Sequence, residues 1–510
     1  MAGLTLPQQL VDNSRRFGAT GTALRHKRLG IWESYSWLAY HDQVRDLALG
    51  LAALGLERGQ VVLLLGDNHP LIYVAHLAVQ SLGGCSLPVH PVAGAAEIGH
   101  WARATGAVAA ICTDQEHLDQ ADDAGAPASL RWIIADIRHE VLPRSSERFT
   151  DLIDLIARGR ETARTQPDAF SRLVDQGGPG DLAAIVSTGG AGGVPRGIQL
   201  THGQILAAAR ALAQAEGVSE QDELLAFLPI GWIVDVELSL ALPLVTGCTV
   251  ACPEAPETLE ENLREIGPTV MYAPPHFWRT LMVRTKARLT ETKGVKGWLS
   301  RKILREAEAG SGQGRRTDWI GETLRYGPLR DQLGLSQIRR AYSGGLPTDP
   351  AIFRFYRTLG VDLNAAYSLT ECGGLAAVGK GIDGLPGSIG PVLPGLEVRI
   401  GDAGDILLKG ESVSLASLGA GAGGTQEWLQ TGDAGAIDPN VQVRWIERWE
   451  NLGALADGTH FTPTLIEQIL MSSPYVSRAV VFGSQRSEVT AAVCIDTPAV
   501  GNWAQRRGHR

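Results

Sequence analysis

The stretch Ile185-Val186-Ser187-Thr188-Gly189-Gly190-Ala191-Gly192-Gly193-Val194-Pro195-Arg196-Gly197 holds the residue types best suited to chemistry in this sequence. An apolar run enters a glycine-dense turn, a cation follows, and after Thr201-His202 a helix is expected from about Gly203. Residues without a Cβ let successive backbone N–H groups converge on an oxyanion. Arg196 adds a charge-assisted donor beside them. The chemistry this suits is phosphate binding. The spacing is not the G-x-x-x-x-G-K-[ST] pattern, so on these residues alone a plain glycine turn stands as the alternative. No metal array competes with it. Of the six cysteines (Cys85, Cys112, Cys248, Cys252, Cys372 and Cys494) only Cys248 and Cys252 are close, and no second pair joins them at zinc-like spacing.

Such a loop has to be held by a scaffold, and the first third of the chain alternates helix and strand patterns. Val44, Leu47, Leu51 and Leu54 form one helical stripe, and the uninterrupted run Val61 to Leu65 suits a strand buried on both faces. A helical segment Leu71 to Leu82 follows, with strand patterns after Gly83-Gly84, at Ala107–Cys112 and at Leu130–Ala135. This alternation predicts an α/β architecture with parallel-rich sheets. Residues 137 to 178 read as loop and surface helix, and a second α/β run begins at Leu182. The apolar run Leu238 to Pro253 is broken by Pro243 and Gly247, so it reads as a buried helix and a strand rather than a membrane span. Residues 410 to 424 are small and glycine-rich and read as a loop or a boundary. Beyond them a helix is expected over Thr464–Met471, with strands at Ala479–Phe482 and Val489–Ile495, and the basic end shows no apolar pattern.

Of 510 residues, 44% are hydrophobic and 20% charged, enough apolar material for a large core and too much for a disordered chain. The net charge of −9 argues against a nucleic-acid partner. The first residues show no charged segment leading into an apolar one, so a cytoplasmic location is expected. One charge anomaly stands out: residues 284 to 316 hold ten Lys/Arg against three Glu. With Trp298, Leu299, Ile303 and Leu304 at helical spacing among them, peripheral membrane contact is one reading and a solvated helix face the other.

Six further segments join the glycine loop, in order. They are Phe227-Leu228-Pro229-Ile230-Gly231-Trp232, then Pro268-Thr269-Val270 with Ala273-Pro274-Pro275, then Ala341-Tyr342-Ser343-Gly344-Gly345. Tyr367-Ser368-Leu369-Thr370-Glu371, Trp428-Leu429-Gln430-Thr431-Gly432-Asp433 and Trp445-Ile446-Glu447-Arg448 complete the set. The set resembles the motifs of the adenylate-forming (AMP-binding) superfamily, and within it those of the long-chain acyl-CoA synthetases. The resemblance implies a large N-terminal domain over residues 1–445, built of two sheets with helices and a small β-rich part, and a short C-terminal α/β domain over 446–510. It also implies a reaction. A fatty-acid carboxylate attacks the α-phosphate of ATP, pyrophosphate leaves, and the thiol of coenzyme A displaces AMP from the acyl-adenylate. By resemblance Glu371 would hold Mg²⁺, Thr370 would contact the α-phosphate, and Arg448 would reach the ribose or phosphate. Thr188, Gly189, Gly190, Gly193 and Arg196 would cradle phosphates, Gly344 and Gly345 would let adenine approach, and Tyr367 would stack on it. Asp433 would accept the ribose hydroxyls. Trp232, Ile233 and Val236 would line an apolar acyl tunnel, where each buried methylene contributes about 0.8 kcal/mol.

The sequence departs from that pattern at two places. Gly189, Ala191 and Gly192 stand where the family carries hydroxyl side chains, and Arg196 replaces a lysine, which changes reach and geometry. After Lys409 there is no further lysine, so the late lysine of the family has no counterpart here. These departures keep a second expectation open: a degenerate homologue that binds nucleotide, acyl ligand or a protein partner without turnover. In a related version, a protein partner supplies the missing C-terminal function.

Overall fold

A computed structural model describes residues 3–125, 129–136, 148–188, 196–291, 319–379, 387–418, 427–438, 442–471, 473 and 475–506. Two large sheets carry the chain up to residue 379. In the first, of seven strands, the order is Phe149–Asp151, Trp132–Ala135, Ala109–Cys112, Val61–Leu65, Cys85–Pro88, Leu182–Thr188 and Arg196–Thr201. All pairs are parallel except the last, which is antiparallel. Every residue of Val61–Leu65 is buried, as a strand covered by helices on both faces requires. The stripe around Val44 and Leu47 lies on the helix Trp37–Leu54, and the next helix runs Pro70–Ser81.

The second sheet has eight strands, in the order Gly374–Gly379, Leu363–Leu369, Arg340–Gly344, Val270–Ala273, Glu223–Leu225, Thr249–Cys252, Thr22–Arg28 and Ile31–Ser36. Its central strands are parallel, and each edge is closed by an antiparallel strand. The two sheets are tied through Asp235, which is 2% exposed. It accepts from Tyr73 of the helix Pro70–Ser81, from Asn68 and from Ser239. A five-stranded antiparallel sheet follows, ordered Ser388–Gly390, Val443–Arg448, Leu429–Ile437, Asp405–Gly410 and Leu396–Ile400. This is the expected α/β class with a small β-rich part.

Three local readings change. Between the glycine loop and its helix stands a strand, Arg196–Thr201, which returns antiparallel to Leu182–Thr188. The helix then opens at His202 behind a capping box in which Thr201 and Gln204 bond each other's backbone N–H. Residues 411–418 are no boundary. Gln199 N donates to Ala416 O, Leu418 N donates to Gly197 O, and Gln204 Nε2 donates to Val413 O, strapping the segment to the strand Arg196–Thr201. The polar end forms a helix, Thr497–Arg506. Of the basic segment 284–316, the helix Pro275–Glu291 covers the beginning, and residues 292–318 lie outside the described residues, with Trp298, Leu299, Ile303 and Leu304 among them. No described helix is long and apolar enough to cross a membrane.

The C-terminal module contains the helix Pro463–Met471, the paired strands Val476–Phe482 and Thr490–Ile495, and the closing helix. The expected division after residue 445 falls inside the strand Val443–Arg448. Glu447 of that strand is the joint. It is 1% exposed and accepts from Arg448 N, Thr464 N and Thr464 Oγ1, each at 3.0 Å. Arg279 adds a bond to the Met471 carbonyl at 2.8 Å. Replacing Glu447 by Ala leaves buried donors unsatisfied, with an expected loss of about 1–3 kcal/mol. Hydrogen exchange should show faster opening over residues 463–471 while the strand Val61–Leu65 keeps its protection.

Candidate functional site

Three pieces of chain meet beyond the carboxyl ends of the parallel strands Val270–Ala273, Arg340–Gly344 and Leu363–Leu369, the position where open α/β sheets hold ligands. The strand Leu363–Leu369 presents Tyr367 and Ser368 and then tightens into a short 3-10 turn, Thr370–Cys372. The hairpin of the first sheet brings Thr188 and Arg196, paired across its ladder, to the same place. The five-stranded sheet contributes Thr431, Gly432 and Asp433 from one strand and Arg448 from its neighbour. Together these line a cleft of about 740 Å³ bounded by Thr188, Arg196, Thr370, Glu371, Gly432 and Arg448. A smaller cavity of about 220 Å³ adjoins it through Gly345, Ser368, Leu369 and Arg448, and holds Tyr367 and Asp433.

The electrostatics of this space are self-satisfied in part. Asp433 is 2% exposed. Its Oδ2 accepts from the Tyr367 hydroxyl and its Oδ1 faces Arg448 Nε at 3.3 Å, while its own N–H donates to Thr431 Oγ1 at 3.1 Å. Arg448 Nη1 also donates to the Thr431 carbonyl at 2.9 Å. Burial, reinforced by the Asp433 carboxylate, raises the Tyr367 phenol well above its ordinary range, so it remains a donor. Across the larger cleft Arg196 stands 4.0 Å from Glu371. The Glu371 carbonyl is fixed by Ser414 N at 2.6 Å, so the strap over 411–418 also anchors the acidic turn.

One atom has no internal explanation. Thr188 Oγ1 is buried and without a hydrogen-bond partner, although it lines the cleft opposite Glu371. An orphaned hydroxyl at the mouth of a cleft suits an exogenous acceptor. The Glu371 carboxylate and the Thr370 hydroxyl supply oxygen donors of the kind a hard cation takes. Among the described residues no cluster of three or more His, Cys, Asp or Glu is placed to hold a metal, so a cation here would draw most of its ligands from a bound anion or water.

The structure therefore brings Thr188, Arg196, Thr370, Glu371, Arg448, Tyr367, Asp433 and Gly345 around two adjoining cavities. Gly189, Gly190 and Gly193 lie outside the described residues. Gly344 lies under the floor, because a Cβ there would stand 2.5 Å from Ala366 O and 2.7 Å from Tyr272 Oη. Trp232 and Ile233 line the cleft, but Val236 does not. It is 1% exposed inside the main core, and Val234 lines the cleft instead. The wall is a consecutive run entering a helix, with Trp232 extended, rather than a helical face at i, i+3. Sequence reasoning missed Ser414 to Ser417, Trp428 and Tyr272 as lining groups. Two of them carried a signal: Tyr272 by its place in the strand before Pro274-Pro275, and Trp428 as the first residue of the segment ending at Asp433.

Comparison with known proteins adds the lineage. Residues 12–415 match the family described as AMP-binding enzyme, and residues 451–505 match the AMP-binding enzyme C-terminal domain. The long-chain-fatty-acid–CoA ligase FadD15 of Mycobacterium bovis is 26% identical over 94% of this chain and 80% of its own. Among solved structures, the anthranilate CoA ligase AuaEII in complex with anthranoyl-AMP superposes with a TM-score of 0.75 at 18% identity, over 97% of this chain and 87% of its own. The O-succinylbenzoate coenzyme A synthetase of Bacillus subtilis, in complex with ATP and magnesium, gives 0.69 at 18% identity, over 98% and 92%. At those identities the two structures speak for the fold.

Thr188→Val tests the orphaned hydroxyl. Removing an atom without an internal partner should leave the melting temperature unchanged or slightly higher. Losing a hydrogen bond to a charged group, about 1.5–3 kcal/mol, should weaken ATP binding by about ten- to a hundredfold in titration calorimetry.

Proposed function

The chain belongs to the AMP-binding enzyme family, and from that premise we propose that it is an AMP-forming ligase that activates a long-chain fatty acid with ATP and passes the acyl group to coenzyme A. The observation that carries the reading is the cleft of Thr188, Arg196, Thr370 and Glu371 set directly beside the cavity of Tyr367 and Asp433, with Gly345, Ser368, Leu369 and Arg448 lining both. The cleft offers donors for phosphates, the cavity an aromatic face and a buried carboxylate for a nucleoside. The wall of Trp232, Ile233 and Val234 offers apolar surface to an acyl chain. The FadD15 relative, named as a long-chain-fatty-acid–CoA ligase, supports the substrate class.

In the proposed reaction a carboxylate oxygen forms a bond to the α-phosphorus of ATP, and the bond to the bridging oxygen breaks to release pyrophosphate. An anion must approach a polyanion, so the barrier is set by charge. Mg²⁺, when bound, offsets phosphate charge and polarises a phosphoryl oxygen, with Glu371 as its protein ligand. Thr370 and Thr188 direct hydroxyl donors into the same cleft. Arg196 turns from Glu371 toward phosphate, and its fork suits phosphate oxygens bidentately. At the nucleoside end Asp433 exchanges the Tyr367 hydroxyl for ribose hydroxyls, which frees the Tyr367 ring to lie along the base. Arg448 spans both cavities and holds the ribose end against the phosphate end. In the second step the thiol sulfur of coenzyme A bonds to the acyl carbon and AMP leaves.

Backbone N–H groups and Thr188 have to substitute for the hydroxyls absent at Gly189, Ala191 and Gly192. The direct test is a reaction of protein, ATP, Mg²⁺, coenzyme A and C6–C18 fatty acids, read by pyrophosphate release and by mass spectrometry of acyl-AMP and acyl-CoA. Both products are expected, and Glu371→Gln should lower turnover by about a hundredfold or more, the scale of removing a preorganised charge from a transition state. Folded protein that binds ATP and releases no pyrophosphate with any of these acids would end the ligase reading.

A further inference from the structure

Beneath the acidic turn lies a carboxyl that the reaction above leaves unused. Glu237 is 0% exposed. Its Oε2 accepts from Leu375 N at 2.8 Å, and its Oε1 is buried without any partner. The residue is carried on a π-helical segment, Val236–Ala241, inserted between the short helix Ile233–Asp235 and the helix Leu242–Thr246. Wide turns of this kind are rare and concentrate at functional sites. Immediately upstream, Trp232, Ile233 and Val234 face the cleft. Downstream of Glu371 the chain passes through Gly374 at φ +147, where a Cβ would stand 2.2 Å from Glu237 Oε2. The carboxyl is thus pressed against the backbone that ends the turn.

We propose that Glu237 is a positioning residue of the adenylating centre: its carboxyl holds the Thr370–Gly374 turn against the wall of Trp232, Ile233 and Val234. The groups facing phosphate and the groups facing the acyl chain then keep one spacing, which an in-line attack demands. The effect on turnover rests on the ligase reading above; the contact itself does not.

The charge state follows from the surroundings. Tyr272 approaches from the strand Val270–Ala273, Cys372 from the acidic turn, and Asp235 ends the short helix just before the π-helical segment. None of them is a cation, and among the described residues Glu237 has no ion-pair partner. Burial pushes the Glu237 carboxyl up to about 8 and Asp235 up to about 7. Burial therefore favours the neutral acid, which still accepts from Leu375 N through Oε2. The folded protein keeps a proton that the unfolded chain has already released. Stability tied to this site is present at low pH and is lost as pH rises from the ordinary carboxylate range through about 8.

The test compares wild type with Glu237→Leu and Glu237→Gln. Leucine removes the acceptor, and turnover should fall about tenfold or more while the fatty-acid KM moves less than about twofold. Glutamine keeps an acceptor for Leu375 N without an ionisable proton. It should restore kcat to within about threefold and flatten the decline of kcat and melting temperature expected of wild type from pH 7 to 9. Wild-type kcat in Glu237→Leu, or a Glu237→Gln pH profile superimposable on wild type, would overturn the proposal. If Glu237→Leu does not fold, the glutamine profile alone decides. If wild type releases no pyrophosphate, the ligase reading fails by itself, and Mg·ATP binding by calorimetry then decides. Weakening confined to leucine supports the role of Glu237, and equal affinity in all three proteins refutes it.

Discussion

A carboxylate with 2% exposure governs the geometry of this site. Asp433 can be buried only if its oxygens are satisfied, because an uncompensated charge away from water is destabilising by several kcal/mol, of order 3–5 when a partner is removed. Its partners come from separate elements: Tyr367 from the large parallel sheet, Arg448 from the neighbouring strand of the small one, and Thr431 from its own. That single group therefore fixes the β-rich part against the eight-stranded sheet at the point where the two cavities join. The same strand that delivers Tyr367 runs on into Thr370 and Glu371, so locating Asp433 also locates the acidic turn.

The hairpin of the first sheet has to be registered to that frame independently, and backbone does it. Residues 411–418, which leave the small sheet, add themselves alongside Arg196–Thr201 and hand Ser414 N to the Glu371 carbonyl. One short strap touches both halves of the cleft. Ser414 has a packing reason there, since its hydroxyl donates to the Gln199 carbonyl while its N–H donates to the Glu371 carbonyl. Asp235 performs the equivalent registration on the far side, joining the helices of the two sheets through Tyr73 and Asn68.

Much of this was legible in the sequence because it depends on local pattern. The run Val61 to Leu65, the stripe around Val44 and Leu47, and the ordered motifs from Ser187 to Arg448 each carry their signal in a few consecutive residues. What was not legible depends on distant partners. Nothing near Glu237 announces that its carboxyl meets Leu375, 138 positions away. Nothing in Ser414 announces Gln199 or Glu371. Val236 was placed in the acyl wall by resemblance, but the chain enters that helix from an extended Trp232 and then widens into a π turn, which leaves Val236 in the core and Val234 at the cleft. The strand Arg196–Thr201 was hidden because the glycine-dense turn and the cation after it were read as running straight into the helix.

The charges of the cleft explain how a sparse phosphate loop remains compatible with the proposed chemistry. In the unliganded protein both cations are already paired, Arg196 with Glu371 at 4.0 Å and Arg448 with Asp433 at 3.3 Å. The Arg196–Glu371 pair, at the cleft edge, is weak in water-like surroundings, of order 1 kcal/mol at that separation and at most about 4 at the effective dielectric of a protein surface. A triphosphate brings more charge than one carboxylate, so it takes Arg196 from Glu371 and leaves that carboxylate facing a cation instead. The exchange makes anion binding and cation binding mutually favourable without a new side chain. Three lost hydroxyls weaken the grip on phosphate, but they do not touch this exchange, which depends only on Arg196, Glu371 and the turn that holds Glu371 in place.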